Sequence, residues 1–399
     1  MNVPQLRFSG FDGEWEEKEL SELLEFKNGI NADKDSYGHG AKFINVLDIL
    51  NNDYILSENI IGSVNATEQQ LKTYSVTYGD ILFLRSSETR EDVGKCNVYL
   101  DSDKPAVFGG FVIRGKKIAD YSPFFLKALL NNSSARNQIS SKSGGSTRYN
   151  VSQNILSEVT VKIPKIEEQQ KVSSFFMLLN KKIEKQKERI EKLEQFKKGM
   201  MQKIFSQELR FKEEDGGEFA EWEKKKLDNC LDIENGFPFK SSYFTTEPLG
   251  MPLLRIRDIK AEKLNTYYTG SFDEKYLVNN HDIVIGMDGE FAVSKWNKGP
   301  ALLNQRVMRI KSKDDYSLSY LYQLLKIVVK KIEDITPQTT VKHLSNKDIF
   351  NSIVKMPSFD EQQKIGNFFS QIDNKIEKEK EKLMVLEEQK RGFMWGMFV

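Results

Sequence analysis

Two copies of one segment in a single chain limit the possible folds more than any other feature. Pro164-Lys165-Ile166-Glu167-Glu168-Gln169-Gln170-Lys171-Val172 returns as Pro357-Ser358-Phe359-Asp360-Glu361-Gln362-Gln363-Lys364-Ile365. The same offset holds without a gap through Phe175-Phe176 and Phe368-Phe369, Lys182-Ile183-Glu184-Lys185 and Lys375-Ile376-Glu377-Lys378, and Lys198-Gly199 and Arg391-Gly392. Self-similarity at long period means one structural unit used twice. The parts upstream of each copy repeat more loosely. Leu6-Arg7-Phe8 recurs as Leu209-Arg210-Phe211, Trp15-Glu16 as Trp222-Glu223, and Asn28-Gly29 as Asn235-Gly236. Gly79-Asp80-Ile81-Leu82 is echoed by His281-Asp282-Ile283-Val284. The layout reads as residues 1–163, a variable unit; 164–206, a near-identical helix; 207–356, a second variable unit; and 357–399, the second helix.

Within each helix, apolar residues step by fours and threes, the spacing of a coiled-coil seam. The first seam is Val172, Phe176, Leu179, Ile183, Ile190 and Leu193; the second is Ile365, Phe369, Ile372, Ile376, Leu383 and Leu386. One step in each is polar, Gln186 and Glu379. Each helix opens after a proline with acidic residues in its first turn, where the missing N–H costs nothing and the helix dipole favours negative charge. Some 35 residues give a rod of about 50 Å. With a folded unit between them to reverse the chain, the two seams are expected to pack antiparallel, since leaving them wet forfeits roughly 1.5–3 kcal/mol per large side chain.

The variable units read as mixed α/β. Phe43-Ile44-Asn45-Val46, Ile81-Leu82-Phe83-Leu84 and Phe111-Val112-Ile113 are strand-like, and Ser122 to Leu130 is helical, with Ser as cap and Pro in the first turn. Its counterpart is Ser317 to Leu325. The expected fold class is therefore α/β (α+β): two similar domains joined by two long helices in an antiparallel coiled coil, with a pseudo-twofold repeat.

Catalytic constellations are missing. Gly110 to Lys117 approaches a phosphate loop, but Lys117 stands where a metal-binding Ser or Thr is needed and the intervening residues are strand formers. Cys96 and Cys230 lie far apart, and His39, His281 and His343 are scattered, so no metal site is expected. The absence of a long apolar run and of a leader-like N-terminus predicts a cytoplasmic protein with no membrane partner. The near balance of 59 basic and 58 acidic residues excludes a uniformly basic coat, so nucleic acid would be met by local patches.

Those patches are loops rich in Arg, Lys, hydroxyls and amides. In the first unit they carry Arg85, Ser86, Ser87 and Arg90, and then Lys142, Ser143, Thr147, Arg148, Tyr149 and Asn150. Gly144 and Gly145 would let backbone N–H groups approach a phosphate, and Arg and Asn carry the forks that match guanine and adenine edges. The second unit offers Lys295, Asn297 and Lys298, and Thr339, Thr340, Lys342 and His343. Gln338-Thr339-Thr340 stands where the first unit has Gly145-Ser146-Thr147, so it lacks the matching glycine.

Two divergent units, each followed by a helix opening on Glu168-Gln169-Gln170-Lys171 or Glu361-Gln362-Gln363-Lys364, resemble the specificity subunit of type I restriction-modification enzymes. The resemblance spans nearly the whole chain. It implies a non-catalytic subunit whose two target recognition domains each read half of a split site in double-stranded DNA. It further implies that the helices set the spacer, with those Glu-Gln-Gln-Lys openings among the contacts for two modification subunits that bring adenosylmethionine and methylate adenine at N6. Restriction subunits with ATP and Mg²⁺ would join, leaving this chain without a cofactor of its own. The competing readings are a self-sufficient methyltransferase or nuclease, and a coiled-coil interaction protein that never touches DNA.

Overall fold

A computed structural model describes residues 3–145, 147–337 and 342–398. The chain divides into two compact units, Met1–Arg189 with Lys380–Val399, and Ile190–Glu379. Each long helix is therefore shared between the units, because antiparallel packing lays the start of one against the end of the other. The central helix runs Ile166–Phe205 over 40 residues and the distal helix Phe359–Met397 over 39. Each is about 60 Å long, one to two turns more than the seam alone predicts.

The first unit is built on a four-stranded antiparallel sheet in the order Leu24–Asn28, Val112–Lys117, Ile81–Leu84, Cys96–Val98. Its middle strand is apolar throughout because both faces are covered. Ile81 and Phe83 enter the main core with Phe125, Leu129 and Phe176, while Leu82 points to a second cluster with Ile44, Tyr99 and Phe108. Glu16–Glu19 pairs with Thr160–Ile163 and closes the unit beside the helix start.

The second unit repeats this plan with Leu231–Asn235, Val307–Ser312, Ile283–Gly286 and Val293–Lys295 in the same order, and Glu223–Lys226 paired with Ile353–Met356. Ile283 and Ile285 join one core and Val284 another, which includes Trp296. The repeated Asp before this strand has a structural cause. Asp80 accepts from Thr77 N at 3.0 Å, and Asp282 from Asn279 N at 2.9 Å. The residue ahead of each is left-handed, Gly79 at φ 92° and His281 at φ 80°. The second copy thus keeps the turn without the glycine that makes it easy.

Each seam is divided between the two units and mostly buried in them. Val172, Phe176, Leu179 and Ile183 pack with Leu383, Leu386, Met397 and Phe398 in the first, and Leu193, Ile204 and Phe205 pack with Ile365, Phe369, Ile372 and Ile376 in the second. Ile190 is buried as well, whereas Leu193 and Leu383 are only partly covered. The aromatic contacts duplicate. Phe8 meets Phe175 at 5.7 Å and Phe176 meets Phe398 at 5.8 Å; Phe211 meets Phe368 at 5.7 Å and Phe205 meets Phe369 at 6.5 Å. Backbone joins follow suit: Leu6 N donates to Gly396 O at 2.7 Å, and Leu209 N to Lys203 O at 3.1 Å.

Local expectations give way in places, two of them here. The run from Phe43 to Val46 is not one strand: the strand ends at Ile44, and a short helix, Val46–Leu50, starts after Asn45. Asn45 N donates to Asp48 Oδ2 at 2.8 Å, and this capping box overrides the β-branched pattern. Ser122 precedes the helix Pro123–Leu130 but its side chain does not cap it, because its hydroxyl is bonded to that of Ser173 at 2.6 Å.

Candidate nucleic-acid interface

In the first unit the chain emerges from the buried strand Ile81–Leu84 into Arg85, and neighbouring segments line up beside it. Arg85 N donates to Phe111 O at 2.9 Å, and Val151 N donates to Arg85 O at 3.0 Å. Ser86-Ser87 then pair antiparallel with Tyr149-Asn150, and Asn150 exchanges two backbone bonds with Gly144. The two polar loops picked out in the sequence therefore form one surface. On it, Arg90 stacks over the Tyr149 ring at 5.0 Å, and Arg148 lies 4.0 Å from Glu88 with both side chains mostly exposed. Thr147 and Asn150 are exposed. A pair so exposed contributes little to stability and leaves the Arg148 guanidinium available.

Some expected contacts are spent elsewhere. Ser143 is buried, its hydroxyl donating to Ser140 O at 2.7 Å. The Gly144 N–H goes to Asn150 O, so it is not offered to a phosphate. Gly145, at φ 124°, is required by the turn itself, since a Cβ there would collide with Arg148 O. Lys142 pairs with Glu158 at 3.0 Å on the surface, and Arg85 holds Gly110 O at 3.1 Å while remaining half-exposed.

The second unit builds the same join. Met287 N donates to Arg306 O at 3.0 Å, and Leu344 N to Met287 O at 2.7 Å. Asp288 faces His343 across an antiparallel bridge, with His343 Nδ1 at 2.6 Å from Asp288 Oδ1 and Arg306 Nε at 3.5 Å from Asp288 Oδ2. Lys342 donates to Glu333 O at 2.7 Å, covering the end of the helix Leu318–Ile335. Thr339 and Thr340 lie outside the described residues. The remaining trio is set apart: Lys295 opposes Ile283 at the start of the strand, whereas Met287 follows its end, roughly 13 Å away at 3.3 Å per residue. Asn297 is exposed, but Lys298 is a loop anchor, its ammonium donating to the carbonyls of Asp258, Ile259 and Ala261. Burial pushes Lys298 below the usual lysine range, with Asp258 opposing the shift.

The helix openings are corrected most sharply. Glu168 is buried and takes Arg7 in a two-pronged pair, both bonds 2.7 Å. Glu361, fully buried, takes Arg210 at 3.2 and 2.8 Å and the Trp222 indole at 2.9 Å. The carboxylate bonds hold both guanidinium groups above their ordinary pKa. Gln169 accepts from Ser122 N at 3.0 Å and donates to Pro164 O at 2.8 Å; Gln362 does the same with Ser317 N at 3.0 Å and Pro357 O at 2.9 Å. These four side chains bind each helix start to its own unit and are not open to a partner. Gln170, Lys171 and Gln363 stay exposed, and Lys364 is half-exposed over Phe219. The signal for this lock was present in the repeated Leu-Arg-Phe segments, whose arginines find the repeated glutamates.

Among the described residues, no cluster of three His, Cys, Asp or Glu could hold a metal ion, and no helix is long and apolar enough to cross a membrane.

Known proteins resemble this chain in sequence and in fold. Along 158 residues the chain is 37% identical to the type I restriction enzyme EcoBI specificity subunit of Escherichia coli, a match spanning 38% of this chain and 33% of that protein. It is 27% identical over 410 residues to the putative type I restriction enzyme MjaX specificity subunit of Methanocaldococcus jannaschii, covering 96% and 92% of the two chains. The fold is also that of the type I restriction-modification system S subunit from M. genitalium, with a TM-score of 0.64, 16% identity and coverage of 100% and 99%. Residues 12–195 and 220–388 each match the family described as the type I restriction modification DNA specificity domain, and the chain belongs to that family.

Proposed function

We propose that this chain reads a split DNA sequence, one half with each unit, and that it is the non-catalytic specificity subunit of a cytoplasmic type I restriction-modification complex. The observation that carries the reading is the recurrence of one backbone join in both units with different side chains at matched places: Arg85, Ser86 and Asn150 in the first, Met287, Asp288 and His343 in the second. A shared frame with altered side chains is what two readers of different base sequences require. The long helices set the unread spacer. Their exposed faces, with Gln170, Lys171, Gln363 and Lys364, receive two modification subunits that bring adenosylmethionine and methylate adenine at N6. Restriction subunits with ATP and Mg²⁺ complete the nuclease.

Mapping methylated adenines in cells with and without this chain tests the reading. A two-part motif that disappears with the chain is expected; an unchanged methylation pattern overturns it. Turnover by the purified chain alone, with adenosylmethionine or Mg²⁺ and DNA, would favour a self-sufficient enzyme instead. Binding that is insensitive to salt would point away from DNA altogether.

A further inference from the structure

We propose that Phe111 is a base-reading residue of the first unit and that it packs on the C5-methyl group of a thymine in the major groove. The inference deepens the DNA-reading function and rests on it. Phe111 was expected to begin a strand, but the strand starts at Val112 and Phe111 sits at the tip of the turn before it, 60% exposed. Its main chain is held rigidly. Arg85 N bonds Phe111 O at 2.9 Å, Arg85 Nη1 bonds Gly110 O at 3.1 Å, and Val112 N bonds Gly109 O at 2.9 Å. On the other side, Gly109 N bonds Ile44 O at 3.0 Å. The turn is closely packed at its glycines: a Cβ on Gly109 would meet the buried ring of Phe43 at 2.7 Å, and one on Gly110 would make Asn31 swing aside. The turn thus leads a large apolar ring into solvent at a fixed place.

That place adjoins Arg85, whose backbone joins Phe111 on one side and Val151, the residue after Tyr149-Asn150, on the other. The Phe111 ring by itself offers too little apolar area for a protein partner, whose contact needs a patch of such residues. It does fit an isolated methyl group among polar base edges. Thymine C5 is the only methyl carried by the standard base pairs in the major groove. The second unit supplies the comparison. Arg306 takes the matched position, its carbonyl accepting from Met287 N as that of Phe111 does from Arg85 N, and its side chain is 56% exposed. The backbone is kept and the presented chemistry changes from apolar to cationic, as expected of a position that determines specificity.

The test uses the full chain reconstituted with its modification subunits and a duplex bearing the mapped target. Each thymine of the first half-site is replaced in turn by uracil, which removes only the methyl. One replacement should weaken binding about threefold to tenfold, the size expected for one buried methyl contact. Phe111→Ala should weaken binding to the natural target by a similar factor and lose sensitivity to that replacement, while discrimination in the second half-site stays unchanged. Phe111→Leu, which retains an apolar tip, should keep part of the sensitivity. If the complex binds selectively but no uracil replacement matters, or if Phe111→Ala is as sensitive as the natural chain, the Phe111 assignment fails and DNA reading stands. If no selective binding occurs at all, both fall.

Discussion

Single side chains in this protein divide into those that hold the fold and those left to meet a partner, and near-identical neighbours fall on opposite sides. Glu361 and Gln363 are two residues apart, yet the first is sealed under Arg210 and Trp222 and the second faces solvent. Removing one member of a buried ion pair strands the other, so Glu361→Ala should lose about 2–4 kcal/mol in urea unfolding. Gln363→Ala should change stability by less than about 0.5 kcal/mol. Equal effects of the two would contradict the lock. The cysteines give a second check. Burial pushes the Cys96 thiol up to about 12, and Cys230 is also raised by burial. The thiolate, which is the reactive form, is therefore scarce in native Cys96. Iodoacetamide should leave native Cys96 unlabelled over hours by mass spectrometry and label it promptly in denaturant.

Elements show why the repeat survives where it does. Gly29 and Gly236 follow the first strand of each sheet, and a Cβ on either would collide with a backbone carbonyl, Gly109 O or Asn304 O. Backbone cannot swing aside as a side chain does, so Gly29→Ala and Gly236→Ala should each destabilise their unit by at least about 2 kcal/mol. A thermal melt that is unchanged by either would refute the close approach. The helices, their seams and the strand Ile81–Leu84 were legible in the sequence because their causes are local and periodic. The function of Glu168 and Glu361 was not, because their partners lie 161 and 151 residues away. Lys298 was misjudged for the same reason: composition marks a lysine beside Trp and Asn as a candidate contact, and only the fold brings three carbonyls to its ammonium. The join of residues 85–87 with 149–151 could be suspected from matched positions, but not its register.

At the scale of the whole molecule, each compact unit owns half of each long helix, so neither helix can melt without exposing core in both units. Unfolding by urea should therefore fall in a single transition by far-UV circular dichroism and by tryptophan fluorescence alike. Trp15 and Trp222 report from different units, and separated transitions would show that the helices do not couple them.

The bond from Leu6 to Gly396 occupies the place that Leu209 and Lys203 fill with continuous chain, so two segments far apart in sequence meet as neighbours do in the other unit. A gene rearranged to begin near the exposed segment Glu213–Gly217, with a short linker joining the chain near Gly396 to the chain near Leu6, should yield a protein of the same fold and stability within about 1 kcal/mol. The order in which the two units are synthesised is then a free parameter of the sequence.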